Sequence, residues 1–263
     1  MLFRSIRATS VVLTLAISLG AWDGGIRSVH AADAANGSPQ GDNFASIAKL
    51  PDWSGSWRLD RYIHANQGDY PIPLTPPYAK ILTELRRITH SPGGDVPSNT
   101  KWCIPAGPNQ GDILGLYEYV FAPGQVVILP ETNDVRRVYT DGRPHRTDGK
   151  AHFAGDSIGH WEGDTLVIET VGLRPDTEWL HGFKVGEAAA DMRLVERMRL
   201  IAPNQLEIVN TYDSKIAMTA PYTFKITRTR VPQPMQEDIC AQNNRDINGK
   251  GGQMFDTTPP PLR

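Results

Sequence analysis

From residue 116 onward, apolar and polar positions alternate with a period of two in short runs separated by turn residues, which is the pattern of half-buried strands. The runs are Tyr117–Phe121, Val126–Leu129, Val135–Thr140, Ile158–Trp161, Thr165–Val171, Met192–Ile201, Leu206–Asp213 and Tyr222–Arg230. Pro123-Gly124, Asp141-Gly142, Glu162-Gly163-Asp164 and Pro203-Asn204 punctuate them. An earlier strand is predicted at Trp57–Ile63. One helix is predicted from Pro76 or Pro77 through Arg87, because proline suits a first helical position and Tyr78-Ala79-Lys80-Ile81-Leu82 then begins a helical repeat. Many strands on short turns with one short N-terminal helix predict a mainly β fold, either a single antiparallel barrel of calycin-like type or a sandwich.

Alternation also assigns polar residues to faces. Glu196 shares its phase with Met192, Leu194, Met198 and Leu200, whereas Arg193, Arg197 and Arg199 lie opposite. A carboxylate facing a core costs several kcal/mol unless paired or protonated, so Glu196 is expected to have a partner, Arg137 or another cation, or a task. Asn210 and Tyr212 are in phase with Leu206 and Ile208, and Arg137 and Tyr139 with Val135. These positions are expected to line a polar-floored pocket.

The hairpin Gly155–Thr170 gathers an imidazole, an indole and four carboxylates around one turn. From these features, one pocket is expected to unite Arg137 and Tyr139, His160 with Glu162 or Glu169, and Glu196 with Tyr212. Glu196, His160 or Glu169 would take a proton, and Tyr139 or Tyr212 with Arg137 would stabilise an oxyanion. The competing account makes each group one half of a separate structural pair. His145 and His181 are further candidates, whereas His64 and His90 are expected to be surface or satisfied structural residues.

Residues 1–31 read as a signal peptide, with Arg4 and Arg7 before a short apolar run and Val29-His30-Ala31 as the cleavage pattern. Its removal takes away three arginines and one aspartate, moving the formal charge from −2 to −4. That balance offers no footprint for nucleic acid, and no later run is long enough to cross a bilayer. A periplasmic or secreted protein is expected, with a flexible leader over 32–50, a β domain over 51–232 and a mostly coil tail over 233–263. Cys103 and Cys240 are the two cysteines. In an oxidising compartment they are expected to form a disulfide that ties the tail back, at a gain of about 5 kcal/mol in the chain-entropy model.

His152, Asp156 and His160 would share one face of a helix, but Gly155, Gly159 and the β context argue against that helix and against a metal site. No nucleophile elbow, phosphate loop or dinucleotide fingerprint occurs, so no cofactor is expected.

Pro51-Asp52-Trp53-x-Gly55-x-Trp57, Val135-Arg136-Arg137-Val138-Tyr139-Thr140-Asp141-Gly142-Arg143-Pro144-His145, Ser157-Ile158-Gly159-x-Trp161-Glu162-Gly163-Asp164-Thr165-Leu166-Val167 and Val195-Glu196-Arg197 resemble a large family of secreted bacterial proteins of unknown function. The resemblance implies small apolar substrates, aromatic or terpenoid-like. This chain departs from the family pattern with Asp156 where histidine is usual, His160 where arginine is usual, and Arg193 near a second usual histidine. Two functions follow as expectations. One is a cofactor-independent lyase, hydratase or isomerase acting on a small hydrophobic, oxygenated compound; the other is a lipocalin-like carrier without turnover.

Overall fold

The computed structural model describes residues 40–62, 72–92, 99, 103–105, 107–108, 115–131, 135–180 and 183–236. In chain order these form α1 (Phe44–Ile47), β1 (Ser56–Tyr62), α2 (Pro76–Thr89), β2 (Leu116–Ala122), β3 (Gln125–Pro130), β4 (Arg136–Tyr139), β5 (Asp156–Glu162), β6 (Thr165–Val171), β7 (Glu178–Leu180), β8 (Phe183–Lys184), β9 (Arg193–Ala202), β10 (Gln205–Asp213) and β11 (Tyr222–Val231). A 3₁₀ turn, Gly186–Ala190, lies between β8 and β9.

Nine strands close into a barrel in the order β1-β11-β10-β9-β6-β5-β4-β3-β2, while β7 and β8 form a separate hairpin. The fold is therefore the barrel of the two alternatives, and it is mainly β as the alternation predicts. It is not wholly antiparallel. β4 and β5 run parallel, with Val138 opposite Ser157 and Tyr139 opposite Ile158. A parallel neighbour requires the chain to return along the strand, and residues 140–155 make that return. The return begins at Thr140, whose N–H donates to Gly124 O at 2.8 Å. Gly163 takes the positive φ (60°) expected at the β5–β6 turn.

One end of the barrel is plugged by rings. Trp53 stands 5.5 Å from Tyr119, 5.4 Å from Phe121 and 5.5 Å from Trp161, and Phe121 and Trp161 are 5.4 Å apart. These tilted and edge-to-face contacts are the arrangement aromatic quadrupoles favour. Part of the expected flexible leader belongs to this plug. Asn43 and Ser46 form a reciprocal capping box on α1, Leu50 packs on the core, and Gly41 O accepts from Gly124 N at 2.9 Å.

Toward the other end lies Tyr212 between Trp179 and Phe224, with Phe183 packed on Trp179. α2 docks here through Tyr78, whose hydroxyl donates to Val185 O at 2.6 Å and accepts from Ala188 N at 2.7 Å. Burial pushes the Tyr78 phenol above its ordinary pKa. β7, β8 and the 3₁₀ turn, for which the alternation gives no signal, supply these contacts.

The expected phase of β4 is reversed. Arg136 and Val138 are buried, while Val135 and Arg137 are exposed. Parallel pairing to β5 puts Val138 in register with the inward Ser157, and this fixes Arg136 on the inside. The tail from residue 237, and with it Cys240, lies outside the described residues, as do residues 1–31 and His181.

Candidate functional site

β9 delivers Glu196 to the interior at the position its alternation predicts, and β4 delivers Arg136 toward it. Arg136 Nη2 donates to the Glu196 carboxylate and to Thr170 Oγ1 (2.6 Å), and Arg136 Nε donates to Ser157 Oγ (3.1 Å). Ser157 and Thr170 hydroxyls are themselves 2.9 Å apart across β5 and β6. Both charged side chains are only 4% exposed. Taking them from water costs several kcal/mol each, and that cost is offset when the pair is close and its donors are satisfied. Four side chains from four strands meet that condition together.

The network lies behind a cleft of about 350 Å³ at the end of the barrel opposite the plug. Pro105, Gly107 and Pro108 line one wall, Tyr117, Ile128 and Pro130 another, and Val135, Arg136, Phe153 and Ala154 complete the lining. Among the described residues lining it, Arg136 is the one charged side chain. The first wall is fixed in place by close packing. A β-carbon at Gly107 would fall 2.6 Å from Thr177 Cγ2 and 2.7 Å from Glu178 O, so only glycine lets this segment lie against β7. Asn99 reinforces the wall by donating Nδ2 to Pro105 O at 3.1 Å and to Asp176 O at 2.8 Å. Lys184 bonds the Asn99 side-chain oxygen, and its ammonium is 3.8 Å from the buried Glu178. Desolvation holds the Lys184 amine below the usual lysine pKa, with Glu178 and then Asp176 opposing.

The other residues expected in one pocket are not brought there. Tyr212 is fully buried within the barrel among Trp179 and Phe224, on the same side of the wall as Glu196. Tyr139 lies on the outer surface with the Arg143 guanidinium 3.9 Å over its ring. Arg137 is exposed. His160 is exposed, with Nε2 3.2 Å from Glu162 Oε1, and Glu162 in turn accepts from Arg197 at 2.7 Å. Glu169 is partly buried on the outer wall, where it accepts from Arg193 and stands 3.5 Å from His145 Nε2. His145 Nδ1 is 2.9 Å from Asp156 Oδ2, which also accepts from Arg146 N at 2.8 Å. Asp156 thus anchors the return segment to the barrel wall.

Strand geometry explains the separation. The hairpin's imidazole and indole are adjacent in sequence, so the pleat sends Trp161 into the plug and His160 to solvent. Electrostatics follow the same division. The Arg193 bond holds the Glu169 carboxyl below its ordinary pKa against the opposing effect of burial, and Arg197 does the same for Glu162. A carboxylate so stabilised in its ionised form is a weak proton acceptor at neutral pH.

Arg136, Ser157, Thr170 and Phe153 are the site residues that alternation alone does not select. A signal was present in β4. Taking Val138 rather than Val135 as the inward reference places Arg136 inside.

No protein-family model, characterised protein or solved structure matches this chain. Its function has therefore to be read from these side chains.

Proposed function

We propose that this protein binds a small hydrophobic molecule in the cleft of its barrel. The observation that supports this most directly is the cleft itself: apolar walls around a single fixed cation, at one end of a barrel whose other end is filled by rings. Its volume falls within the range of small-molecule sites, about 300–1,000 Å³, and such sites combine apolar lining with few polar groups. Binding without turnover is the reading the geometry favours, because the acid–base groups expected to work together lie on opposite sides of the barrel wall.

Turnover by a lyase, hydratase or isomerase mechanism is the second reading. It is favoured by the position of Glu196, which bonds the arginine that lines the cleft. Export to the periplasm or beyond and a Cys103–Cys240 bridge belong to the same proposal, in which the ligand is met outside the cytoplasm. Cys103 itself is exposed, with a φ of 54°.

The test is a binding screen on the mature protein with ring-sized hydrophobic compounds, read by intrinsic tryptophan fluorescence and calorimetry. Val135→Trp places an indole in the cleft lining from an exposed position, so it should abolish binding while leaving the melting temperature within a degree or two. Unchanged binding by that variant would refute the cleft as the site. Conversion of a bound compound to product would select the enzymatic reading over the carrier.

A further inference from the structure

Tyr117 and Phe153 bring two rings to the cleft, and each ring already carries a cation. Arg228 Cζ lies 3.8 Å from the Tyr117 ring centroid, and Arg174 Cζ lies 4.5 Å from that of Phe153. Neither arginine is among the described residues that line the cleft, and Arg228 is fully buried. One face of each ring is therefore covered from outside the cleft, and the ring meets a ligand with its other face or its edge. The cation on Phe153 is held in place. Arg174 N donates to His152 O at 3.1 Å, and the guanidinium donates to both oxygens of Asp176, at 2.8 and 3.0 Å. Arg136, the charge within the lining, is matched by a carboxylate: its Nη2 donates to Glu196 and Thr170, and its Nε donates to Ser157.

We infer that the cleft selects an uncharged aromatic compound with an electron-rich ring. This rests on the cleft being the binding site. An aromatic side chain has a negative face and a positive edge, which is why a cation settles on the face. A guanidinium there draws π-density toward itself, so the opposite face becomes less negative and the edge more positive. Both then favour an electron-rich ring, offset-stacked or edge-to-face, over a saturated ring of the same size. The same cations oppose an ammonium group, because the π-density it would need is already engaged. A carboxylate is disfavoured too. It would leave water for an arginine whose charge Glu196 already balances and whose Nε and Nη2 already donate elsewhere, so its desolvation is not offset.

Four probes of similar size test this: 2-methoxynaphthalene, 2-methoxydecalin, 2-naphthoate and 2-naphthylmethylammonium. Each is titrated by calorimetry into wild-type protein, Val135→Trp and Arg174→Met, and affinities are compared after correction for each probe's water–octanol partition. 2-Methoxynaphthalene should bind wild type about threefold to tenfold more tightly than 2-methoxydecalin, the worth of an aromatic pair beyond its buried area. Both ions should bind at least about tenfold more weakly than 2-methoxynaphthalene. Arg174→Met removes the cation on Phe153 through a side chain that is itself exposed. It should shrink the preference for the arene about twofold to threefold and leave 2-methoxydecalin affinity unchanged, an effect that simple destabilisation does not produce. If Val135→Trp blocks binding but an ion binds wild type best, or 2-methoxydecalin matches 2-methoxynaphthalene, the cleft is the site and the inference is overturned. An arene preference that Arg174→Met leaves intact overturns it as well. If Val135→Trp changes nothing, or no probe binds, the cleft reading falls and takes the inference with it.

Discussion

Arg136 and Glu196, sixty residues apart in the chain, form an ion pair inside the barrel, each with 4% of its side chain exposed. The pair links β4, at the parallel junction, to β9 on the far side of β5 and β6. Thr170 and Ser157, which lie on those two intervening strands, accept from its Nη2 and Nε. One side chain thus ties four consecutive strands of the closed sheet together from within.

That arrangement predicts strong coupling. Arg136→Met leaves a buried carboxylate without its cation and should cost about 3–5 kcal/mol, as should Glu196→Leu for the opposite reason. The double variant should lose much less than the sum, with a coupling energy of about 1–3 kcal/mol. Urea denaturation of the four proteins measures it, and additive losses would show that the two residues are energetically independent.

Acid sensitivity should trace in part to the outer wall. The Glu169 carboxyl is held below its ordinary value of 4.5 by the Arg193 hydrogen bond. A depressed carboxylate contributes stability that is whole above the unfolded pKa and is lost as pH falls through the lower folded value. Glu162 and Glu207 are depressed in the same direction by Arg197 and Lys225. The melting temperature of wild type should therefore fall below about pH 4.5 more steeply than that of Arg193→Met. The variant should be the less stable at pH 7 and the gap should close in acid. A constant gap at all pH values would remove Glu169 from the account.

The cysteines give a third check. Cys103 and Cys240 are expected to be bridged in secreted protein, and intact mass without reductant, before and after alkylation, reads this directly. A species two hydrogens lighter that resists alkylation is the expected result. Two alkylated thiols in native secreted material would disprove the bridge.

Much of the barrel was written in local pattern. Alternation placed β2, β3, β6, β9, β10 and β11 to within a residue or two, because a strand half-buried on one face must repeat every two residues. The Glu162-Gly163-Asp164 turn was legible because few residues other than glycine accept a positive φ, and α2 because proline can begin a helix but not continue one. The inward position of Glu196 was legible too, since four apolar neighbours of the same phase outvote one carboxylate.

The partner of Glu196 was not. Arg136 and Arg137 are chemically identical neighbours, and a strand of four residues has too few apolar positions to set its own phase. The parallel pairing of β4 with β5 decided it, through contacts that residues 140–155 make possible across the barrel wall. For the same reason the polar residues of the Gly155–Thr170 hairpin could be counted from the sequence but not gathered into a site. Adjacent side chains on a pleated strand face opposite ways, and only closure of the sheet determines which of those ways is the interior. The cleft belongs wholly to the tertiary structure, since its walls come from the 105–108 segment, three strands and the return segment, brought together by the closing of the barrel.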